Sequence, residues 1–394
     1  MKENTKILIV CHDSLLYGAS QSLLNWIEDM DKNYYKMYEF IFLLPTNKGE
    51  LYSILVNRGY KVINTRYYMP IWKFDKKSIN YFIKNIGRII LNIIFNPLAV
   101  RKISEICKKE NVKLIHSNSL AAVIGKEVAD NIGVNHIWHV REYMEEDHMM
   151  KICYPFKNID KLYSTSYAIF ISKAIEKKFI LKFIPGKSTV IYNKVKYENN
   201  YIKQRLFMED NICNILIAGK ISYNKGQREA ILAIDKLNKK GLKVNLYVCG
   251  EGEYQRELEK LIDENDINNI KFLGFRKDLK EIRKNIDIAL VCSKSEAFGR
   301  VTVEAMYYEN LVIGANTAAT MELIKDGENG YLYKYGDVDD LVSKIENVIR
   351  NKERSINIIK YAKINSINKY SNSIYPKILN VYESAVKNNN IRNK

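Results

Sequence analysis

Paired cysteines are missing from this sequence of 394 residues. Its six cysteines are scattered without a CxxC pair, and several lie in apolar runs, where a thiol behaves as a small hydrophobe. This distribution favours a reducing compartment and argues against a disulfide framework or a zinc site. The five histidines all precede residue 150, and the closest pair, His136 and His139, has no evident third ligand. The sequence therefore predicts no metal site, and we expect no metal or other cofactor.

Long apolar runs are missing as well. The most extended, residues 89–95, is far shorter than the roughly 20 residues that span a bilayer. The run Lys6–Val10 is too short for the core of a signal peptide and predicts a buried first strand. We therefore expect a soluble or peripheral protein of the cytoplasm, with the inner face of the plasma membrane as its peripheral location.

Acidic residues are too few to balance the basic ones. The 62 lysines and arginines exceed the 45 acids and give a formal net charge of +17. A basic surface attracts nucleic acid, anionic lipid or phosphorylated small molecules. Part of the excess has a plainer origin in coding bias, since Lys, Asn, Ile and Tyr are abundant throughout. No recognition-helix motif or aromatic RNA-binding signature is present, so no nucleic-acid partner is expected.

Short apolar runs alternate with amphipathic stretches in two series, and such alternation indicates βαβ units and a mostly parallel sheet. The predicted strands are 7–11, 40–44, 61–64, 114–116, 136–140, 168–171 and 189–192, then 215–218, 244–248, 270–272, 288–291 and 311–313. The polar stretch 193–211 separates the two series. We predict an α/β protein with two Rossmann-like, doubly wound domains facing across a cleft.

The domain boundaries follow from the same pattern. An N-terminal domain is expected over residues 1–195, and a C-terminal domain over 196–371. Apolar positions in the tail, among them Ile374 and Ile378, predict a last helix over 372–387 that packs back on the first domain.

The most specific motif lies between Ser293 and Ala305, where a predicted strand ends in a polar turn and a helix begins near Arg300. Glu296 lies on the turn and Glu304 inside the helix, so both carboxylates can face the carboxyl ends of the strands. The amides of Phe298, Gly299, Arg300 and Val301 form the helix N-terminus, which suits a phosphate. Read singly, these carboxylates are equally typical of a solvated loop and helix.

Two further loops and one strand end carry candidate residues. Lys220 and Lys225 flank a loop that suits a diphosphate, although solvated lysines are common in this chain. Gly18 permits close backbone approach, and Ser20 is a candidate cap for a helix at Gln21. His139 ends a strand, where a lone histidine is more often structural.

Together these motifs resemble family-4 retaining glycosyltransferases of the GT-B fold. The residues Glu296-Ala-Phe-Gly-Arg-Val-Thr-Val-Glu304 are similar to that family's E-x7-E element, and the loop from Gly219 to Gly226 to its phosphate loop. The turn at Gly250 and the strand end at Gly274 resemble two further family elements, as does Val190-Ile-Tyr-Asn193. The likeness is dense over 218–331 and thin over 34–113.

The resemblance implies a nucleotide-diphosphate-sugar donor, an acceptor glycan and a metal-independent transfer with retention of configuration. Glu296 would bind hydroxyls of the donor sugar, and His139 would support the reacting centre. The other implied donor-binding residues are Gly18, Lys220, Lys225, Gly250, Gly274, Phe298, Gly299, Arg300, Val301 and Glu304. The leaving diphosphate itself would accept the proton of the incoming hydroxyl. The usual role of the family's members implies a function in bacterial cell-envelope polysaccharide synthesis.

The sequence departs from the family pattern at three places. Lys220 replaces an arginine, which keeps the charge but loses bidentate geometry. Ala318-Ala319 stands where the family has Gly-Gly, and so does Gly18-Ala19 in the first domain. The two Asp-x-Asp pairs, at 29–31 and 337–339, are interpreted as structural because they lie at predicted helix ends.

Other functions remain open at this stage. A sugar-nucleotide epimerase or hydrolase would use the same donor pocket, and a non-catalytic nucleic-acid- or membrane-binding protein is a lower alternative. A nicotinamide dehydrogenase is disfavoured, because Gly250-Glu-Gly252 lacks the third glycine of the dinucleotide fingerprint.

The segment 66–102 combines basic residues and aromatics with the apolar run 89–95. It carries eight basic residues and one acid, Asp75. Such a composition suits an anionic bilayer surface, whereas an ordinary packed helix with a solvated basic flank is the plainer alternative. The membrane hypothesis predicts an acceptor that is lipid-linked or embedded in the membrane.

Overall fold

The computed structural model describes residues 4–33, 37–74, 79–154, 158–183, 185–197 and 201–392. The chain forms two compact units. The first comprises residues 1–194 and 373–394, and the second comprises residues 195–372. The expected boundary at residues 195 and 196 lies one residue from this division.

The first unit is built on a seven-stranded parallel sheet of order β3-β2-β1-β5-β6-β8-β9, beside a two-stranded antiparallel pair of β4 and β7. The strands are β1 Thr5–Val10, β2 Tyr38–Leu44, β3 Lys61–Asn64, β4 Ile71–Lys73, β5 Val112–Ser117, β6 Asn135–Val140, β7 Met150–Ile152, β8 Tyr167–Phe170 and β9 Ser188–Val190. Alternate residues of β1 enter cores on opposite faces of the sheet, Ile7 on one and Leu8 on the other. Burial of both faces explains why the strands are continuous apolar runs.

Helices cover the two faces of this sheet. They are α1 Gly18–Asn33, α2 Glu50–Asn57, α3 Ile79–Lys109, α4 Ile124–Ile132, α5 Met144–His148, α6 Ile159–Ser164, α7 Lys173–Phe179 and, from the end of the chain, α15 Tyr375–Arg392. Helix α15 buries Tyr375, Ile378 and Tyr382 in the core that also contains Ile7. Helix α1 begins at Gly18, so the prediction that Ser20 caps a helix at Gln21 was wrong: Ser20 lies in the first turn and is buried.

The second unit contains a six-stranded parallel sheet of order β12-β11-β10-β13-β14-β15. Its strands are β10 Cys213–Ala218, β11 Val244–Cys249, β12 Ile270–Gly274, β13 Ile288–Val291, β14 Leu311–Ala315 and β15 Tyr331–Tyr333. Its helices are α8 Gln227–Lys239, α9 Gln255–Glu264, α10 Leu279–Arg283, α11 Arg300–Tyr307, α12 Thr320–Leu323, α13 Val338–Arg350 and α14 Lys352–Tyr370.

Each sheet reverses its strand order once. In the first unit the order reverses between β1 and β5, and in the second between β10 and β13. Loops diverge at such switch points and leave a crevice at the carboxyl ends of the strands, where ligands of this architecture bind.

Helix α3 is longer than the sequence pattern indicates. The apolar run 89–95 is part of a 31-residue helix that contains Pro97. By length and composition alone it is the one helix, among the described residues, that could cross a membrane, and most of its apolar stretch is exposed. Residues 75–78, which include Asp75, Lys76 and Lys77 of the basic segment, lie outside the described residues.

Candidate functional site

The predicted donor-binding residues of the second unit lie together at the carboxyl edge of its sheet. Lys220 and Lys225 follow β10, and Gly250 follows β11. Gly274 ends β12. The segment from Glu296 to Glu304 follows β13, the neighbour of β10. The switch point of this sheet therefore collects three basic and two acidic side chains and one helix N-terminus.

Lys225 and Glu296 form the centre of this group. The Lys225 Nζ donates to Glu296 Oε1 at 2.7 Å, and the hydroxyl of Ser293 donates to the same oxygen at 2.6 Å. Both charged side chains are only partly exposed, 24% for the lysine and 15% for the glutamate. The two hydrogen bonds orient the Glu296 carboxylate, and the first of them holds the Lys225 ammonium near the end of β13.

The backbone holds the two loops against each other. Gly226 adopts a left-handed φ of 72°, and a Cβ there would lie 2.3 Å from the carbonyl oxygen of Cys292. The amide of Lys294 donates to the carbonyl of Asn224 at 2.9 Å. Gly226 is therefore required by close packing between the loops, and this packing places Lys225 beside Glu296.

Gly250 has a packing role at the same edge of the sheet, and Gly274 accepts a backbone hydrogen bond from it. Gly250 has a φ of 141°, and a Cβ there would lie 1.8 Å from the carbonyl oxygen of Gly219. Its amide donates to the carbonyl of Gly274 at 2.8 Å. Gly250 is therefore required by close packing whatever it contributes to a ligand, whereas a Cβ at Gly274 would make no close contact and its φ of 65° is left-handed.

Helix α11 begins directly after this group. Gly299, in the left-handed region at φ 83°, precedes Arg300, and the amide of Thr302 donates to the Gly299 carbonyl at 3.0 Å. The amides of residues 299–301 thus precede the hydrogen-bonded part of the helix, where partial positive charge accumulates. Arg300 donates to Glu304 Oε1 at 3.2 Å.

The aromatic ring of Phe298 serves packing. It is buried, and it meets the ring of Tyr370 edge-on at 5.8 Å between centroids. Any contribution of Phe298 to a bound phosphate therefore falls to its backbone amide.

The two predicted residues of the first unit also lie at a carboxyl edge. Gly18 opens α1 after β1, and His139 is the penultimate residue of β6. Asn118 connects them: its Nδ2 donates to the carbonyl of Ala19 at 3.3 Å, and its Oδ1 accepts from Arg141 Nε at 2.8 Å. A further guanidinium nitrogen of Arg141 lies 3.1 Å from His139 Nδ1.

A chain of hydrogen bonds fixes the tautomer of His139. Arg141 can only donate, so His139 Nδ1 is an acceptor and the ring proton of the neutral imidazole is on Nε2. His116 Nε2 lies 3.2 Å from the same Nδ1 and donates to it, which leaves His116 Nδ1 to accept from the Tyr382 hydroxyl at 2.5 Å. His139 Nε2–H is buried and has no partner among the described residues. The hydrogen-bond chain therefore ends in one unused N–H donor.

Burial keeps this pair of histidines neutral. Desolvation, followed by the charge of Arg141, lowers the pKa of His116 to about 3. The same two causes lower the pKa of His139 well below 6.5. A neutral imidazole with its proton on Nε2 donates a hydrogen bond and does not act as a base at that atom.

Sequence reasoning missed several residues of this arrangement. His116, Asn118 and Tyr382 were not predicted, although His116 and Asn118 flank the end of a predicted strand. Tyr382 comes from α15, 266 positions after His116. Only the packing of α15 on the sheet brings it there, so no local pattern could have indicated it.

The Asp-x-Asp pairs have structural partners where they are described. Asp337 caps α13 by accepting from the amide of Asp340 at 3.1 Å. Asp29 accepts from Lys194 Nζ at 2.6 Å.

We expect acid to destabilise the first unit through its buried histidines. Below about pH 6.5 the unfolded chain protonates these rings, whereas the folded unit keeps His116 neutral down to about pH 3. The contribution of these histidines to the free energy of unfolding is therefore complete above pH 6.5. It is lost as the pH drops, by about 1.4 kcal/mol per pH unit for each histidine. Denaturant titrations followed by tryptophan fluorescence measure it, because Trp26, Trp72 and Trp138 all belong to this unit.

A matched pair of variants separates the histidine contribution from that of carboxylates. His136, whose pKa burial also lowers well below 6.5, is replaced by asparagine, and the partly exposed His12 serves as the control. The His136→Asn variant should show a flatter dependence of the unfolding free energy on pH than His12→Asn. Identical slopes would contradict the expectation.

Two glycines with opposite surroundings give the next prediction. Gly226→Ala should destabilise the second unit by about 3 kcal/mol or more, because of the left-handed φ and the contact with Cys292. Gly18→Ala should change stability by no more than about 0.5 kcal/mol, since nothing lies within 4 Å of the added Cβ. Thermal unfolding of both variants checks this. If Gly18 contacts a ligand, Gly18→Ala lowers turnover at unchanged stability; equal destabilisation by the two variants would contradict the packing argument.

Comparison with known proteins identifies the second unit. Residues 199–365 match the family described as glycosyl transferases group 1. The second unit belongs to this family. An uncharacterized glycosyltransferase of Methanocaldococcus jannaschii is 28% identical over 274 residues, which cover 67% of this chain and 72% of the relative. The capsular polysaccharide biosynthesis glycosyltransferase CapM of Staphylococcus aureus is 25% identical over a region that covers 54% of this chain and 57% of CapM.

Solved structures agree on the architecture. HepE of Anabaena, crystallised with UDP and glucose, superposes with a TM-score of 0.74 at 20% identity, over 97% of this chain and 100% of that one. A likeness at this identity shows the fold. The chain is a glycosyltransferase of the GT-B fold class, as the sequence motifs predicted, and its placement in family 4 stays a prediction.

Proposed function

We propose that this glycosyltransferase moves a sugar from a nucleotide-diphosphate sugar to an acceptor hydroxyl, with retention of configuration and without a metal ion. The observation that carries the proposal is the Lys225–Glu296 pair, held at 2.7 Å beside the start of α11. The pair places a cation that can bind phosphate beside a carboxylate that can bind sugar hydroxyls, at the carboxyl edge of the second unit's sheet.

The positive groups of this edge suit the leaving diphosphate. As the bond between the sugar and the diphosphate breaks, negative charge grows on the phosphate oxygens. Lys220, Lys225 and the amides at the start of α11 stabilise that charge in our proposal, the role that a metal ion has in other transferases. Lys220 is exposed and Lys225 partly exposed, so a ligand can reach both.

The carboxylates suit the hydroxyls of the donor. Lys225 and Ser293 both donate to Oε1 of Glu296. In our proposal the other oxygen, Oε2, accepts from a hydroxyl of the transferred sugar. Glu304, oriented by Arg300, binds the ribose hydroxyls in the same way.

His139 contributes a hydrogen-bond donor in this scheme. Its Nε2–H donates to a substrate oxygen, and a neutral donor suits a reaction in which the enzyme supplies no base. The bond from the sugar carbon to the acceptor oxygen forms on the face from which the diphosphate leaves. The acceptor proton passes to a diphosphate oxygen, and no group of the enzyme is altered.

The biological setting rests on relatives. CapM, named for capsular polysaccharide biosynthesis, supports a role in cell-envelope polysaccharide synthesis. In our proposal the enzyme carries out this role in the cytoplasm.

Proton NMR of donor turnover tests the reaction directly. The protein is incubated with UDP-glucose in excess EDTA, and the released sugar is followed while transfer to water proceeds. We expect release without metal, with the first sugar formed in the anomeric configuration of the donor. Release of the opposite anomer contradicts retention, and activity only after Mg²⁺ or Mn²⁺ is added contradicts metal independence.

A further inference from the structure

Helix α3 has its polar and apolar sides reversed over its first two thirds. The buried positions of this part include three asparagines, Asn85, Asn92 and Asn96. Ten large apolar residues are exposed instead: Ile79, Phe82, Ile83, Ile86, Ile90, Leu91, Ile93, Ile94, Phe95 and Leu98. We call these ten residues the outer face of α3. A water-exposed helix is expected to show the opposite arrangement.

The asparagines explain why the helix lies this way round. Asn85 bonds both backbone groups of Lys73, accepting at 3.1 Å and donating at 2.6 Å. Asn92 and Asn96 both donate to the carbonyl of Tyr68, at 2.6 and 2.9 Å. These bonds satisfy the backbone of the segment 68–73 and hold it under the helix, so the outer face cannot turn inward without breaking them.

The last third of α3 packs as an ordinary core helix. Ala99, Ile103 and Cys107 join the core cluster that contains Leu8. The helix is therefore anchored to the sheet at one end, while its first 20 residues, about 30 Å long, present the outer face.

The charges that the helix itself carries along this stretch are of one sign. From Ile79 to Ser104 the sequence has no acid, and Lys84, Arg101 and Lys102 are exposed. Aromatic rings extend the face sideways: Phe82 meets Trp72 at 5.3 Å and Phe95 meets Tyr68 at 6.0 Å, with the Arg66 guanidinium 5.2 Å from the Tyr68 ring.

We propose that the outer face of α3 inserts into the surface of an anionic lipid bilayer, with the neighbouring lysines and arginines on the lipid headgroups. A long apolar stripe flanked by cations and amphipathic aromatics fits the boundary between headgroups and acyl chains. The anchored end keeps the helix on the protein, so it lies in the interface and does not span the membrane. Resting on the proposed function, this surface selects acceptors that are lipid-linked.

Flotation with two kinds of vesicle tests the proposal. The full-length protein is mixed at low salt with vesicles of phosphatidylcholine alone or of equimolar phosphatidylcholine and phosphatidylglycerol. We expect binding to the anionic vesicles that weakens as salt is added. Absence of binding, or equal binding to both vesicles, overturns the proposal.

Paired variants locate the surface. Ile90→Ser with Ile94→Ser should lower vesicle partitioning at least about tenfold, because it removes apolar surface from the interface. The helix itself should persist, since serine has about the helix propensity of isoleucine. Leu181→Ser with Ile364→Ser, at residues 95% and 60% exposed, is the apolar control. Lys84→Gln with Lys102→Gln should lower partitioning about 30-fold, at about 1 kcal/mol per residue. Lys360→Gln with Lys369→Gln is the matched charge control.

Two further readouts distinguish a membrane surface from a dimer interface and from the donor site. If light scattering shows a dimer that Ile90→Ser with Ile94→Ser dissociates, and vesicles do not bind, the face covers a second copy and the proposal is overturned. Binding of nucleoside diphosphate should be unchanged in all these variants, because its proposed residues belong to the second unit. Failure of the membrane proposal is thereby distinguishable from failure of the proposed function.

Discussion

Lys225→Ala is expected to lower kcat/KM for the nucleotide-sugar donor about 10²- to 10³-fold. The variant removes a fixed cation from the place where charge develops on the leaving diphosphate, and removal of one such group has an effect of this size. It also leaves Glu296 without the donor at 2.7 Å. Initial rates with the purified enzyme, together with calorimetric binding of the nucleoside diphosphate, measure both consequences.

Lys243→Ala is the matched control for this prediction. Lys243 is an exposed lysine just before β11, at the opposite edge of the same sheet. Its replacement removes the same charge from the unit and should leave the rate unchanged. Equal losses in the two variants would show that only the net charge of the unit matters, and would contradict a specific phosphate-binding role for Lys225.

His139→Ala is expected to lower kcat about 100-fold while nucleotide binding stays the same. The variant removes the N–H donor that ends the hydrogen-bond chain of the first unit without a partner among the described residues. Positioned donors contribute about this much when they act on the reacting groups. The proposed nucleotide-binding residues are in the second unit, so their affinity does not depend on this ring. Steady-state kinetics and calorimetry on one preparation separate the two effects.

The pH profile distinguishes a neutral donor from a general base. Since burial lowers the pKa of His139 well below 6.5, kcat should show no inflection from this residue near pH 6.5. His139→Gln, whose amide can donate, should recover part of the rate. An inflection near pH 6.5 that disappears in the variant would contradict the assigned tautomer and role.

The strands and loop motifs of the second unit could be predicted because the information is local. A buried apolar run followed by Ser293–Gly299 and a helix determines where Glu296 and Glu304 lie, whatever the rest of the chain does. Strand β13 is observed at Ile288–Val291, the residues predicted. The short strand β15 and the long helix α14 were not predicted, since three residues give little periodicity and the apolar positions of α14 are irregular.

The hydrogen-bond chain of the first unit could not be predicted, because it depends on contacts distant in sequence. The Tyr382 hydroxyl reaches His116 only after α15 has packed on the sheet, and the proton position on His139 follows from that contact and from Arg141. Helix α3 shows the same limit. Its composition indicated a membrane surface, but only the burial of Asn85, Asn92 and Asn96 shows which side faces outward.

The most direct test of the account is a thermal-shift panel of UDP, GDP and ADP in excess EDTA, on the wild type and on Lys225→Ala. A ligand that binds only the folded state stabilises it by about 2.7 kcal/mol at 100 times its Kd, enough to raise the melting temperature by several degrees. We predict that one nucleoside diphosphate stabilises the wild type without metal and that Lys225→Ala abolishes the shift. No shift from any of the three, or a shift that requires added Mg²⁺, would contradict the proposed metal-independent donor site.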